Sequence, residues 1–141
     1  MTNERPLAAT GGKYRDESAL HGALTRDAIG AAMEVHSTLG PGLLESAYQA
    51  CLCHELTLRG IPFEREVPFP VRYKAISLDA GLRMDLAVDQ KLVAELKAVD
   101  RTLPIHGAQL MTYLKLTGLR VGLLINFNVQ SLPQGITRRV L

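Results

Sequence analysis

Asp85, Glu95 and Lys97 have the types and the spacing of a divalent-metal site. In GLRMDLAV (81–88), Leu82, Met84, Leu86 and Val88 alternate with Arg83, Asp85 and Ala87. In KLVAELKAV (91–99), Leu92, Ala94, Leu96 and Ala98 alternate with Val93, Glu95 and Lys97. If both apolar sets face one core, even-numbered residues pair with even-numbered ones, because a slip of one residue turns a whole strand over. A three-residue turn at Asp89, Gln90 and Lys91 meets that condition, pairing Val88 with Leu92, Leu86 with Ala94 and Asp85 with Glu95. Opposed side chains stand roughly 4.5–5.5 Å apart at Cβ, so both acids can ligate one hard cation. Lys97 shares their face. Adjacent carboxylates repel and need a proton, a cation or a metal. Lys97 can be that cation, so on spacing alone a solvated ladder of Arg83 with Asp85 and Glu95 with Lys97 accounts for the pattern equally well.

These strands need a frame. Residues 1–17 are polar, bear glycines and lack an apolar period, so a disordered leader is expected, followed by a single domain over 18–141. From Thr25, read as an N-cap with Asp27 in the first turn, Ala28, Ala31, Ala32, Val35 and Leu39 recur at helical spacing up to Gly40. Pro41 suits the first turn of a second helix running to Gly60, with Leu44, Ala47, Cys51 and Leu58 along its core stripe. FEREV, VRY, GLRMDLAV and KLVAELKAV, punctuated by Pro62, Pro68, Pro70 and Gly81, then read as consecutive antiparallel strands. After Pro104 a third helix carries Ala108, Met111, Leu114 and Leu116 and stops at Gly118. RVGLLINFN has the texture of a strand buried on both faces, and ITRRVL that of an edge strand.

A 47% hydrophobic content over 141 residues can build one packed core without disulfides. Cys51 and Cys53 are two apart on a helix and point in different directions, so they read as reduced and structural rather than as a metal or redox pair. No run approaches the roughly 20 apolar residues of a membrane span, and the N-terminus lacks the apolar region of a secretory signal, so a cytoplasmic location without membrane contact is expected. A net charge of +2 is too small to argue for nucleic acid by itself. Any such contact must be local, at Arg72 with Lys74, Lys97 with Arg101, Arg120, or Arg138 with Arg139, each of which is equally well a solvated charge. The chain has no P-loop, no zinc-finger spacing and no aromatic-rich stacking surface.

The segment LGPGLLESAY holds Gly42, Glu45 and Tyr48 in a G-x-x-E-x-x-Y spacing. Together with RMDLAV, VAELKAV and AQLMTYLK it resembles the GxxExxY protein family, over about residues 25 to 141. That family is similar to the PD-(D/E)xK nucleases, and Gln109 with Tyr113 resembles the Q-x-x-x-Y motif of their RecB-like branch. An acid, then E-x-K, then Q-x-x-x-Y on the following helix is an order far harder to produce by chance than any one of the three. Met84 stands where the superfamily's name has Pro.

The resemblance implies an α/β fold with a restriction-endonuclease-like core, a mixed central β-sheet flanked by helices. It implies that Asp85, Glu95 and the Leu96 backbone carbonyl hold Mg²⁺ or Mn²⁺, that Glu45 completes the acidic site, and that Lys97 orients or deprotonates the attacking water. His36 is a candidate further ligand. Gln109, Tyr113, Tyr48 and His106 are candidate neighbours of the acids or of a phosphate. Ordinary roles stand beside these: Glu45 as an acid favoured by the helix dipole, Tyr113 as a core aromatic, His106 as a surface histidine. The expected activity is phosphodiester hydrolysis in DNA, less so RNA, with a homodimer or larger complex expected by analogy. A non-catalytic nucleic-acid- or protein-binding module that keeps the fold is the alternative.

Overall fold

The computed structural model describes residues 20–141, so the expected leader and the first residues of the expected domain lie outside the described residues. The element order is α1 (Gly22–Leu39), α2 (Glu45–Leu58), β1 (Phe63–Tyr73), β2 (Ile76–Val88), β3 (Leu92–Lys97), α3 (Pro104–Thr117), β4 (Val121–Asn126), a 3₁₀ turn (Leu132–Gly135) and β5 (Ile136–Val140). The sheet order follows the chain, β1-β2-β3-β4-β5. Only β3 and β4 are parallel, with α3 as the crossover a parallel pair requires. The other neighbours are antiparallel. No helix among the described residues is long and apolar enough to cross a membrane.

Alternation along β3 and β4 divides the core between the two faces of the sheet. Leu92, Ala94 and Leu96 of β3 and Val121, Leu123 and Ile125 of β4 join Ala28, Ala31, Ala32 and Val35 of α1 and Tyr48, Leu52 and Leu56 of α2. Val93 and Leu124 point the other way, against Leu110 and Leu114 of α3. Gly122 lets α3 sit close, since a Cβ there would meet Leu110 Cδ1 at 2.7 Å. β4 is buried along its whole length and β5 closes the edge, as their textures predict.

Several local expectations are corrected. Thr25 is not a cap: α1 starts at Gly22, and Thr25 is buried on its inner face with its N–H bonded to the His21 carbonyl. Pro41 lies in a loop, and α2 begins at Glu45. The buried stripe of α2 is Tyr48, Gln49, Leu52, Cys53 and Leu56, while Leu44, Cys51 and Leu58 are exposed. Apolar residues occur all round that helix, so their period alone does not select the inner face. On α3 the expected Leu114 is buried and Met111 packs against the same cluster, but Leu110 joins them while Ala108 and Leu116 are exposed. FEREV and VRY form one strand, β1, with Pro68 and Pro70 inside it. That strand is at the sheet edge, where a missing N–H need not cost a ladder bond.

The turn between β2 and β3 has the expected register, with Val88 opposite Leu92 and Leu86 opposite Ala94. Asp89 and Gln90 take the left-handed φ values (51° and 55°) that a tight hairpin turn demands, and Lys91 N–H closes it on the Val88 carbonyl at 3.0 Å. The expectation that Leu82, Met84, Leu86 and Val88 share one core is wrong. Leu86 and Val88 pack against α1 and α2, whereas Leu82 and Met84 pack against α3. β1 changes sides at the same level, from Phe63 to Val67. Glu66, at φ 52°, and Asp85 drop out of the β1–β2 ladder between Arg65↔Leu86 and Val67↔Met84. The ribbon of β1 and β2 therefore turns over at Glu66 and Asp85, and the candidate site is built at that bend.

Candidate active site

The β2–β3 ladder ends at Leu86↔Ala94. Beyond it side chains take the place of backbone partners: Asp85 N–H donates to Glu95 Oε2 at 3.0 Å, and Leu96 N–H donates to Asp85 Oδ2 at 2.8 Å. Each acid thus ties its carboxylate to the opposite strand. The sequence predicted Asp85 facing Glu95 by register, and the structure brings them together by this interlock.

Burial of these acids has an electrostatic consequence. Glu95 is 6% exposed. Its carboxyl is pushed up to about 8, first by burial and then by the Asp85 charge beside it. Asp85 is also raised, mainly by burial, with the Leu96 N–H opposing and the Glu66 charge adding to the rise. A buried carboxylate set beside a half-buried one favours keeping a proton at neutral pH unless a cation replaces it.

Lys97 follows two residues after Glu95, on the same face, and its charge favours the ionised forms of Glu45, Asp85 and Glu95. Its backbone is fixed by β4: Lys97 is in register with Asn126, and its carbonyl accepts Phe127 N–H at 2.9 Å. The Asn126 carboxamide, 3% exposed, bonds both the N–H and the carbonyl of Val99, holding the chain as it leaves the lysine.

Glu45 arrives from α2. Gly42 supplies φ 104°, and the Tyr48 hydroxyl donates to the Gly40 carbonyl at 2.6 Å and accepts Leu43 N–H at 3.1 Å, which cinches the loop just before the helix. Glu45 is consequently the first residue of α2, where the helix dipole favours a carboxylate. Its carboxyl is raised by partial burial and then by the Asp85 charge, so it stands within electrostatic reach of the pair. Tyr48 is a fastener rather than a chemical group, its ring stacked 4.6 Å from Phe127. Tyr48→Phe keeps that stacking and loses both hydroxyl bonds. It is expected to lower stability by about 1–2 kcal/mol, read as a lower urea midpoint at unchanged slope.

From α3, Tyr113 faces the acids: its hydroxyl is raised by burial and next by the Glu95 charge, and it accepts a 2.9 Å bond from Gln109. His106 is not brought to the acids. Its Nδ1 accepts Leu103 N–H at 3.0 Å and caps the first turn of α3. His36 is committed elsewhere as well, with Nε2 2.7 Å from the Val129 carbonyl. That carbonyl only accepts, so Nε2 carries the proton. Sequence reasoning missed Gln49, Glu66 and Asn126. Gln49 donates to Glu66 Oε2 at 2.9 Å and to the Asp85 carbonyl at 3.2 Å, and Arg83 pairs with Glu66 Oε1 at 2.9 Å. A polar residue at a buried position of α2 is the one signal that could have marked Gln49.

Among the described residues no three His, Cys, Asp or Glu side chains converge as a metal cage, so Glu45 is not placed as a third ligand beside Asp85 and Glu95. The two-acid arrangement nonetheless fits a hard divalent cation. Mg²⁺ is ordinarily held by one or two carboxylates and completes its shell with water and substrate phosphate. The repulsion stored in this pair is what a dication relieves.

A five-stranded mixed sheet with helices on both faces, and paired acids where two strands part, defines the restriction-endonuclease-like class of α/β proteins. The family model of the PD-(D/E)XK nuclease superfamily matches residues 22–140, and the chain belongs to that superfamily. Membership points to nuclease-type chemistry, to a divalent metal and to a nucleic-acid substrate. No curated protein and no solved structure gives a significant match.

Proposed function

We propose that this protein is a Mg²⁺- or Mn²⁺-dependent nuclease that hydrolyses phosphodiester bonds in DNA in preference to RNA. The observation that carries the reading is the interlock of Asp85 and Glu95 at the parting of β2 and β3, with Lys97 next along the same face. Asp85 and Glu95 would hold the cation, with the Leu96 carbonyl as a further donor and Glu45 as a nearby carboxylate. A bound cation of this kind lowers the pKa of its water and neutralises charge on the transferring phosphate. Lys97, as a charged ammonium, would orient the attacking water and stabilise charge on the phosphate while the water's proton passes to solvent, Asp85 and Glu95 would fix the geometry, and Tyr113 with Gln109 would line the approach on the α3 side. Gly42, Glu45 and Tyr48, with Gln109 and Tyr113, support a finer placement in the GxxExxY group near the RecB-like branch.

The test is calorimetric titration of the protein with Mn²⁺, followed by incubation of the same samples with single- and double-stranded DNA and with RNA. Metal binding with cleavage that EDTA abolishes is expected. Binding that leaves every nucleic acid intact would instead favour a non-catalytic binding module on the same fold, and no binding would remove the metal-site reading.

A further inference from the structure

We infer that Gln49 is a positioning residue of this site: its carboxamide pins the bend at Glu66 and Asp85 and so sets where the Asp85 carboxylate stands. The inference rests on the metal-site reading above and extends it to a residue on α2.

Gln49 is 8% exposed, on the inner face of α2 between Tyr48 and the core leucines. Its Nε2 carries two hydrogens and both are used, one on Glu66 Oε2 and one on the Asp85 carbonyl. Both acceptors can only accept, so the amide cannot be turned the other way without setting oxygen against oxygen. The two partners are the residues that drop out of the β1–β2 ladder between Arg65↔Leu86 and Val67↔Met84. The bend takes the Asp85 carbonyl out of that ladder, and Gln49 supplies a donor in its place.

Glu66 makes the need for a pin explicit. At φ 52° it holds a left-handed conformation that a residue with a Cβ adopts only when its surroundings enforce it. Gln49 and Arg83 grip its two carboxylate oxygens. Arg83 is an exposed ion-pair partner, whereas Gln49 is buried and comes from another element, so it is Gln49 that ties the bend to the body of the protein. From the bend onward, Asp85 Oδ2 reaches Leu96 N–H and Glu95 Oε2 reaches Asp85 N–H. Loosening Gln49 therefore loosens the interlock of the acids without touching either carboxylate.

The probe is Gln49→Met, which keeps length and fills the space without donating a hydrogen bond. In the metal-free protein, amide exchange at Asp85 and Leu96 is expected to quicken by about tenfold or more, while Leu123 and Leu124 of β4 exchange as in wild type. The Mn²⁺ dissociation constant should rise by about 10–100-fold, the range seen when groups that orient metal ligands are removed. Glu66→Gly accepts a positive φ without strain and loses the grip of Gln49, so it replaces Gln49→Met if that variant does not fold and is expected to give the same local pattern. Unchanged exchange at Asp85 and Leu96, or a uniform quickening that includes β4, overturns the inference. A wild type that binds Mn²⁺ but cleaves nothing removes the nuclease reading and leaves this one standing. If wild type binds no Mn²⁺, the metal reading goes and the exchange contrast alone decides whether Gln49 holds the bend.

Discussion

Lys97→Met is expected to lower phosphodiester cleavage by about 10²–10³-fold, the usual contribution of one positioned electrostatic donor, while Mn²⁺ still binds within several-fold of wild type. Asp85→Ala is expected to lose both together. The contrast follows from what each side chain touches. Asp85 is bonded to the Leu96 amide and lies against Glu95, so its removal takes away a proposed metal ligand and one tie between β2 and β3. Lys97 acts on the acids through its charge alone, which favours ionised Asp85, Glu95 and Glu45. Removing that charge has two opposed effects on metal affinity: the acids protonate more readily, and the incoming dication meets one positive charge fewer. These offset, so affinity changes little. Single-turnover cleavage at saturating Mn²⁺, alongside calorimetry, separates the two variants. Loss of metal binding in Lys97→Met would show that the lysine holds the site together, and undiminished cleavage would remove it from the chemistry.

How much of this was readable in the sequence follows from the period of each element. The strand on either side of Asp89 alternates, and a period of two leaves only one workable register, so Val88↔Leu92 and Leu86↔Ala94 could be derived without a structure. The helices have no such constraint. Apolar residues around α2 and α3 let the inner face be drawn through Leu44 and Cys51, or through Ala108 and Leu116, when it runs through Leu52 and Leu56, and through Leu110 and Leu114. Leu82 and Met84 were misplaced for a different reason. Alternation says which residues share a side locally but not that the ribbon turns over at Glu66, a left-handed glutamate that no propensity would have suggested. For the same reason the role of Gln49 could not be read, because its partners come together only once the ribbon bends. The acids were legible through residue type and register. His36 and His106 came in with the family resemblance, and both turn out to satisfy backbone groups.

The metal-free protein is expected to be more stable at pH 5.5 than at pH 8.5, and Glu95→Gln is expected to abolish most of that difference. The Glu95 carboxyl lies at about 8 in the folded protein against 4.5 for the free side chain. Between those values the folded state binds a proton that the unfolded chain has given up, so unfolding releases a proton and stability falls as pH rises. The contribution is fully present below about 4.5 and is lost as pH climbs through about 8. Asp85 is raised as well and acts in the same sense. One proton held over roughly 2.5 pH units amounts to about 3 kcal/mol, which corresponds to a melting shift of roughly 10 °C for a domain of this size. In Glu95→Gln the amide oxygen can still accept the Asp85 N–H, but the second charge is gone. That variant should therefore melt above wild type at pH 8.5 and close to it at pH 5.5. Saturating Mn²⁺ should restore wild type at pH 8.5 by binding only the folded state, and should do little for the variant. Melting curves of both proteins at the two pH values, with EDTA and with Mn²⁺, give the whole comparison. Parallel pH profiles for wild type and Glu95→Gln would mean that Glu95 is ionised throughout and that the pair needs no cation. A flat variant profile with Mn²⁺ rescue confined to wild type would identify the charge on Glu95, desolvated by burial and set against Asp85, as what the metal compensates.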